Sequence, residues 1–95
     1  MRMSDMEPML SDTFTIRLSD DEREELRLSE LTDRGGNEHY EQFSLLFQGS
    51  GYRFLPQSLY EFNHPTIGTE YWLLVPIGKN DEGYIYEAAF NVSKR

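Results

Sequence analysis

The chain has 95 residues, no cysteine, and 17 acidic against 9 basic side chains, which gives a net charge of -8. This length suits one domain, and the lack of thiols excludes disulfides, thiolate metal sites and a cysteine nucleophile. The negative charge repels phosphate backbones and anionic lipid surfaces. We therefore expect neither nucleic acid nor a membrane as a partner, and a cysteine-free chain suits the reducing cytoplasm.

The first twelve residues mix methionine with acidic side chains and follow neither a strand period nor a helix period. We interpret residues 1–12 as a flexible leader and residues 13–93 as a single β domain. In residues 13–18 polar and apolar side chains alternate, which predicts a strand with Phe14, Ile16 and Leu18 facing inward.

The next segment fits two structures. Ser19 followed three residues later by Glu22 is typical of a capping box and would begin a helix through Leu31. Leu26 and Leu28 also alternate with polar residues, as in the return strand of a hairpin. The strand is favoured, because the helix would have only a thin apolar stripe.

Four further strands are predicted, over residues 40–48, 58–62, 69–77 and 83–92. Turn-forming residues separate them at 33–37, 49–57, 64–68 and 78–82, and Pro76 should lie at an edge or a bulge. Six strands joined by short connections predict an all-β fold, either a small antiparallel β-sandwich or an open barrel.

No catalytic or metal-binding motif stands out. The two histidines, His39 and His64, are 25 residues apart, too few and too dispersed for a metal site. No nucleophile motif occurs, and Glu70 and Glu87 are better explained as solvated strand residues than as an acid and base pair. We predict a protein that is not an enzyme and has no cofactor.

Several strands are apolar on both faces, which requires cover on both sides. That second face is either the inside of a barrel wall or an interaction surface. On the second interpretation the protein is a binding or assembly module for another protein or for its own copies. The candidate contact residues would be Leu46, Trp72, Leu74 and Ile85.

The alternative function is an acidic inhibitor or adaptor that binds a basic protein. It would use the charged run at Asp20, Asp21, Glu22, Glu24 and Glu25.

Three groups of residues stand out together: Phe43-Ser44-Leu45-Leu46-Phe47; Leu55-Pro56-Gln57 with Tyr60 and His64-Pro65; and Leu74-Val75-Pro76-Ile77-Gly78 with Tyr86-Glu87-Ala88-Ala89-Phe90-Asn91. In this order they resemble a family of short, uncharacterised bacterial proteins. The resemblance implies an all-β domain in which the ambiguous early segment is a strand. It also suggests an accessory or structural subunit of a phage-tail-like assembly, and it implies no catalytic residue.

Overall fold

The computed structural model describes residues 1–94, which form six strands preceded by two short helical turns. The helical turns are α1 (Met3–Met6) and a 3₁₀ turn (Glu7–Met9); the strands are β1 (Thr13–Arg17), β2 (Arg23–Gly36), β3 (Tyr40–Gln48), β4 (Ser58–His64), β5 (Gly68–Asn80) and β6 (Gly83–Ser93). Within this part of the chain no helix is both long enough and apolar enough to cross a membrane.

All strand pairs are antiparallel, and the single sheet closes on itself in the order β1-β2-β3-β6-β5-β4. The short strand β1 completes the ring, because Ile16 lies opposite Glu24 of β2 on one side and opposite Phe62 of β4 on the other. The predicted all-β antiparallel fold of six strands is confirmed. Residues 15–17 of β1 therefore have a neighbouring strand on both sides.

The core lies inside the closed sheet and is rich in aromatic side chains. Alternate residues of each strand point inward, as the two-residue period requires, and Phe14, Phe47 and Phe62 are fully buried. The ring of Phe47 meets that of Phe14 at 5.4 Å and that of Phe62 at 5.3 Å between centroids. Such offset and edge contacts add about 0.5–1.5 kcal/mol per pair beyond the burial of apolar area.

The ambiguous segment after Ser19 is a strand. Leu26 and Leu28 are buried in the core from β2, as the hairpin interpretation predicts. The chain reverses over residues 18–22, where the backbone N–H of Leu18 donates to the Glu22 carbonyl at 2.9 Å. The long-range pairing of β2 with β1 and β3 outweighs the local capping signal at Ser19.

Two predicted turns lie farther along the chain than expected. Strand β2 continues to Gly36, with Gly35 and Gly36 at positive φ, and the reversal occurs where the Asn37 N–H donates to the Tyr40 carbonyl. Likewise β5 runs to Asn80, so the loop to β6 is only residues 81–82. The register shifts between Pro76 and Gly78, so Pro76 lies beside a bulge, one of the two positions predicted for it.

The first twelve residues are packed against the sheet, in contrast to the flexible leader that we expected. Met6 is fully buried and Met9 is 3% exposed, because a spacing of three places both side chains on one side of the helical turns. Backbone hydrogen bonds join Ser11 and Asp12 to Leu28 at 2.8 and 2.9 Å. The folded unit therefore begins before Thr13.

Candidate protein-binding face

The four predicted contact residues do not form one surface. Trp72 is 7% exposed and Leu74 is fully buried, so both belong to the core. Leu46 and Ile85 are half-buried, on strand positions that alternate with the buried Leu45, Phe47 and Tyr86. Trp72 and Leu74 are therefore corrected to core residues.

The wall of β4 and β5 instead exposes the opposite set of side chains. Leu59 is 63% exposed, Tyr71 61% and Leu73 50%, and Leu59 lies directly opposite Leu73 in the register. We call Leu59, Tyr71 and Leu73 the β4–β5 patch. The sequence indicates that β5 is apolar on both faces, and for this reason the prediction placed Trp72 and Leu74 on the outer face, where the structure places Tyr71 and Leu73.

Hydrogen bonds fix the polar border of the β4–β5 patch. The Tyr71 hydroxyl donates to Glu61 Oε1 at 3.2 Å, and the Asn63 amide donates to the other carboxylate oxygen at 2.9 Å. The Asn63 hydrogen bond is the largest cause that lowers the pKa of Glu61, and Tyr71 and Arg17 act in the same direction. Glu61 is therefore held as an anion at the edge of the patch.

Next to this patch the ring of strands is incompletely paired. Strands β5 and β6 are in register only between residues 75–80 and 83–87. In the described chain, residues 68–74 of β5 have register partners only in β4, and residues 88–92 of β6 only in β3. We call the gap between residues 68–74 and 88–92 the seam.

Aromatic rings close the seam on its inner side. Trp72 from β5 meets Phe90 from β6 edge to face, with 5.3 Å between ring centroids, and Phe90 stacks on Phe43 at 5.2 Å. Side-chain packing thus joins the two strands at a place where no register pairing joins their backbones.

A shallow depression of 410 Å³ lies on the outer face beyond the seam, over β3 and β6. The small side chains of Ser44 and Ala89 are among its lining residues. At its rim the Arg34 guanidinium donates to Ser44 Oγ at 3.1 Å and forms an ion pair with Glu87. Three of the polar side chains that line this depression, those of Arg34, Ser44 and Glu87, are thus already paired with one another.

The side chain of His64 has a structural role, and Glu70 and Glu87 lie at ordinary strand positions. His64 Nδ1 accepts the Thr66 N–H at 3.0 Å, and its Nε2 lies 2.9 Å from Asp12 Oδ2, so the ring fixes the chain before β1. Glu70 lies opposite Phe62 in β4, whereas Glu87 lies between Val75 and Leu46. Among residues 1–94 no three His, Cys, Asp or Glu side chains are grouped to hold a metal ion.

A protein-family model described as a domain of unknown function (DUF6916) matches residues 1–90. The chain belongs to this DUF6916 family. No curated protein and no solved structure matches it. The DUF6916 match includes the twelve residues before β1, in agreement with their packing on the sheet. An uncharacterised family is thus confirmed, whereas a bacterial origin and a tail-like assembly stay predictions.

Proposed function

We propose that this protein is a non-catalytic protein-binding module and that the β4–β5 patch is its contact surface. The observation that carries the proposal is the pairing of Leu59 with Leu73, beside Tyr71, on an outer wall where each is at least half exposed. Contiguous exposed apolar surface is typical of interaction sites, and tyrosine is enriched in interfaces.

Charge favours a different protein as the occupant over a second copy of this chain. Two chains that each carry a net charge of -8 repel one another. The anionic Glu61 at the border of the patch already pairs with Arg17 at 3.5 Å, so the contact offered to a partner is the apolar one. A structural or accessory subunit of a tail-like assembly, as the family resemblance suggests, is one form of this function.

The acidic-inhibitor alternative has less support, because part of its charge is already paired. Asp20 forms an ion pair with Arg17, and Glu22 forms one with Arg53 at 2.6 Å. The run also contains Arg23. A basic partner would have to compete with these contacts, whereas the side chains of the β4–β5 patch are already exposed.

The test compares two substitutions on the same strand. Leu73 and Ile77 are both 50% exposed, but Leu73 lies in the patch and Ile77 lies beyond it, in the bulge. Leu73→Glu should abolish co-purification of partner proteins from the native cells, because a charge enters the apolar contact. Ile77→Glu should preserve it. Equal retention of partners by both variants would contradict the proposed function.

A further inference from the structure

We infer that the partner contributes an extended segment, which adds as a strand to β5 along the seam. The inference rests on the proposed function and specifies its partner. The decisive observation is the register: residues 68–74 pair with β4 on one side, and no strand within residues 1–94 is in register with them on the other. The chemical complement of such an edge is another extended backbone.

The backbone geometry makes this edge suitable for strand addition. In an antiparallel sheet the N–H and C=O groups of alternate residues point to the same neighbouring strand. The half of these groups that points away from β4 therefore faces the seam. The other border of the seam, residues 88–92 of β6, likewise pairs only with β3.

The seam determines which side chains the segment should carry. Val75 of β5 lies opposite Glu87 of β6. Two residues farther along each strand, Leu73 and Ala89 face each other across the seam. Outward side chains of an added strand would lie beside Tyr71 and Leu73 and next to the depression that contains Ala89. The Cβ atoms of directly opposite residues on neighbouring strands lie about 4.5–5.5 Å apart, so side chains of the added strand can contact Tyr71 and Leu73.

The inner side of the seam limits how deeply the segment enters. Trp72 and Phe90 already occupy the space beneath it, with their ring centroids 5.3 Å apart. The inward side chains of the segment should therefore be small. The expected segment has large apolar residues at alternate positions and small residues between them.

Two measurements test strand addition, the first on the protein alone. Amide hydrogen exchange should show unprotected amides at alternate positions of residues 69–74, those whose N–H groups point away from β4. The second measurement uses a displayed library of random peptides of about 12 residues, selected for binding. The selected peptides should show the alternating pattern and should protect the amides of residues 69–74.

The matched control keeps every side chain and removes backbone donors. N-methylation of alternate residues in the best peptide should weaken binding by about tenfold or more, because two or three backbone hydrogen bonds are lost. N-methylation of the intervening residues should have a smaller effect. Protected amides along the whole of residues 69–74 in the free protein would overturn the inference.

The outcomes separate this inference from the proposed function. A peptide that binds with no sensitivity to N-methylation, but is lost with Leu73→Glu, overturns strand addition and supports the β4–β5 patch as a binding surface. A library that yields no binding peptide also overturns strand addition. Co-purification that survives Leu73→Glu instead contradicts the proposed function itself.

Discussion

Trp72 and Phe90 meet edge to face across the seam, with ring planes at 84° and centroids 5.3 Å apart. Their strands are paired farther along, from Val75 and Glu87 onward, but not at this level. The contact therefore closes the core where the backbones diverge. Trp72 also lies 4.9 Å from Phe62 between centroids, so it connects β4, β5 and β6.

Trp72→Glu should prevent folding. Removal of a large buried aromatic side chain costs about 3–5 kcal/mol, and an unpaired charge in the core adds to that cost. This is a large share of the roughly 5–15 kcal/mol that stabilises a typical domain. Circular dichroism of this variant and of the adjacent Leu73→Glu should show loss of sheet only in the first. A folded Trp72→Glu protein would contradict the core assignment.

Tyr86→Phe should destabilise the domain by about 1–3 kcal/mol, because it leaves a buried donor without an acceptor. The Tyr86 hydroxyl accepts the Leu55 N–H at 2.9 Å, and both residues are buried. Tyr60→Phe is the matched control, since its hydroxyl donates to the Pro56 carbonyl in a more exposed setting. Urea unfolding should show the smaller loss for Tyr60→Phe; equal losses would refute this explanation.

Glu41→Gln should loosen the N-terminal segment at neutral pH. Glu41 Oε1 accepts the Met3 N–H at 2.6 Å, and this hydrogen bond is the largest cause of the lowered pKa of Glu41, with the nearby Arg2 adding to it. A carboxylate with a lowered folded-state pKa stabilises the fold above its unfolded-state pKa, and that contribution is lost as the pH falls through the folded-state pKa.

Melting temperatures measured against pH test this contribution. The difference between the wild-type protein and Glu41→Gln should be largest at neutral pH and should narrow in acid, once Glu41 is protonated. Glu38→Gln is the control, because Glu38 is exposed and its only described ion pair is with His39. A difference between wild type and Glu41→Gln that stays constant down to low pH would exclude the hydrogen bond as the cause.

The strands were predictable from the sequence because apolar and polar residues alternate along them, and the apolar residues are the buried ones. Phe14 and Ile16 are buried as their pattern indicates, and the match of β3 to residues 40–48 follows from the same signal. The two-residue period could not decide which face of β5 points inward, since both faces are apolar. That choice depends on Phe62 and Phe90, which contact Trp72 from other strands.

Other features could not be predicted from the sequence because they depend on contacts between residues far apart in the chain. Met6 and Met9 span less than two helical turns, too short a segment to show a helix period, yet both are buried in the core. The seam depends on where the pairing of β5 with β6 ends after the bulge near Pro76. A sequence can indicate such a bulge, but it does not show how far pairing continues on either side.

The most direct test of the binding function is photo-crosslinking from single positions on β5. A photoreactive residue in place of Leu73 should form a discrete adduct with a partner protein in the native cells, whereas one in place of the equally exposed Ile77 should form little or none. Adducts of the same protein in equal yield from both positions, or none from Leu73, would contradict binding at the β4–β5 patch.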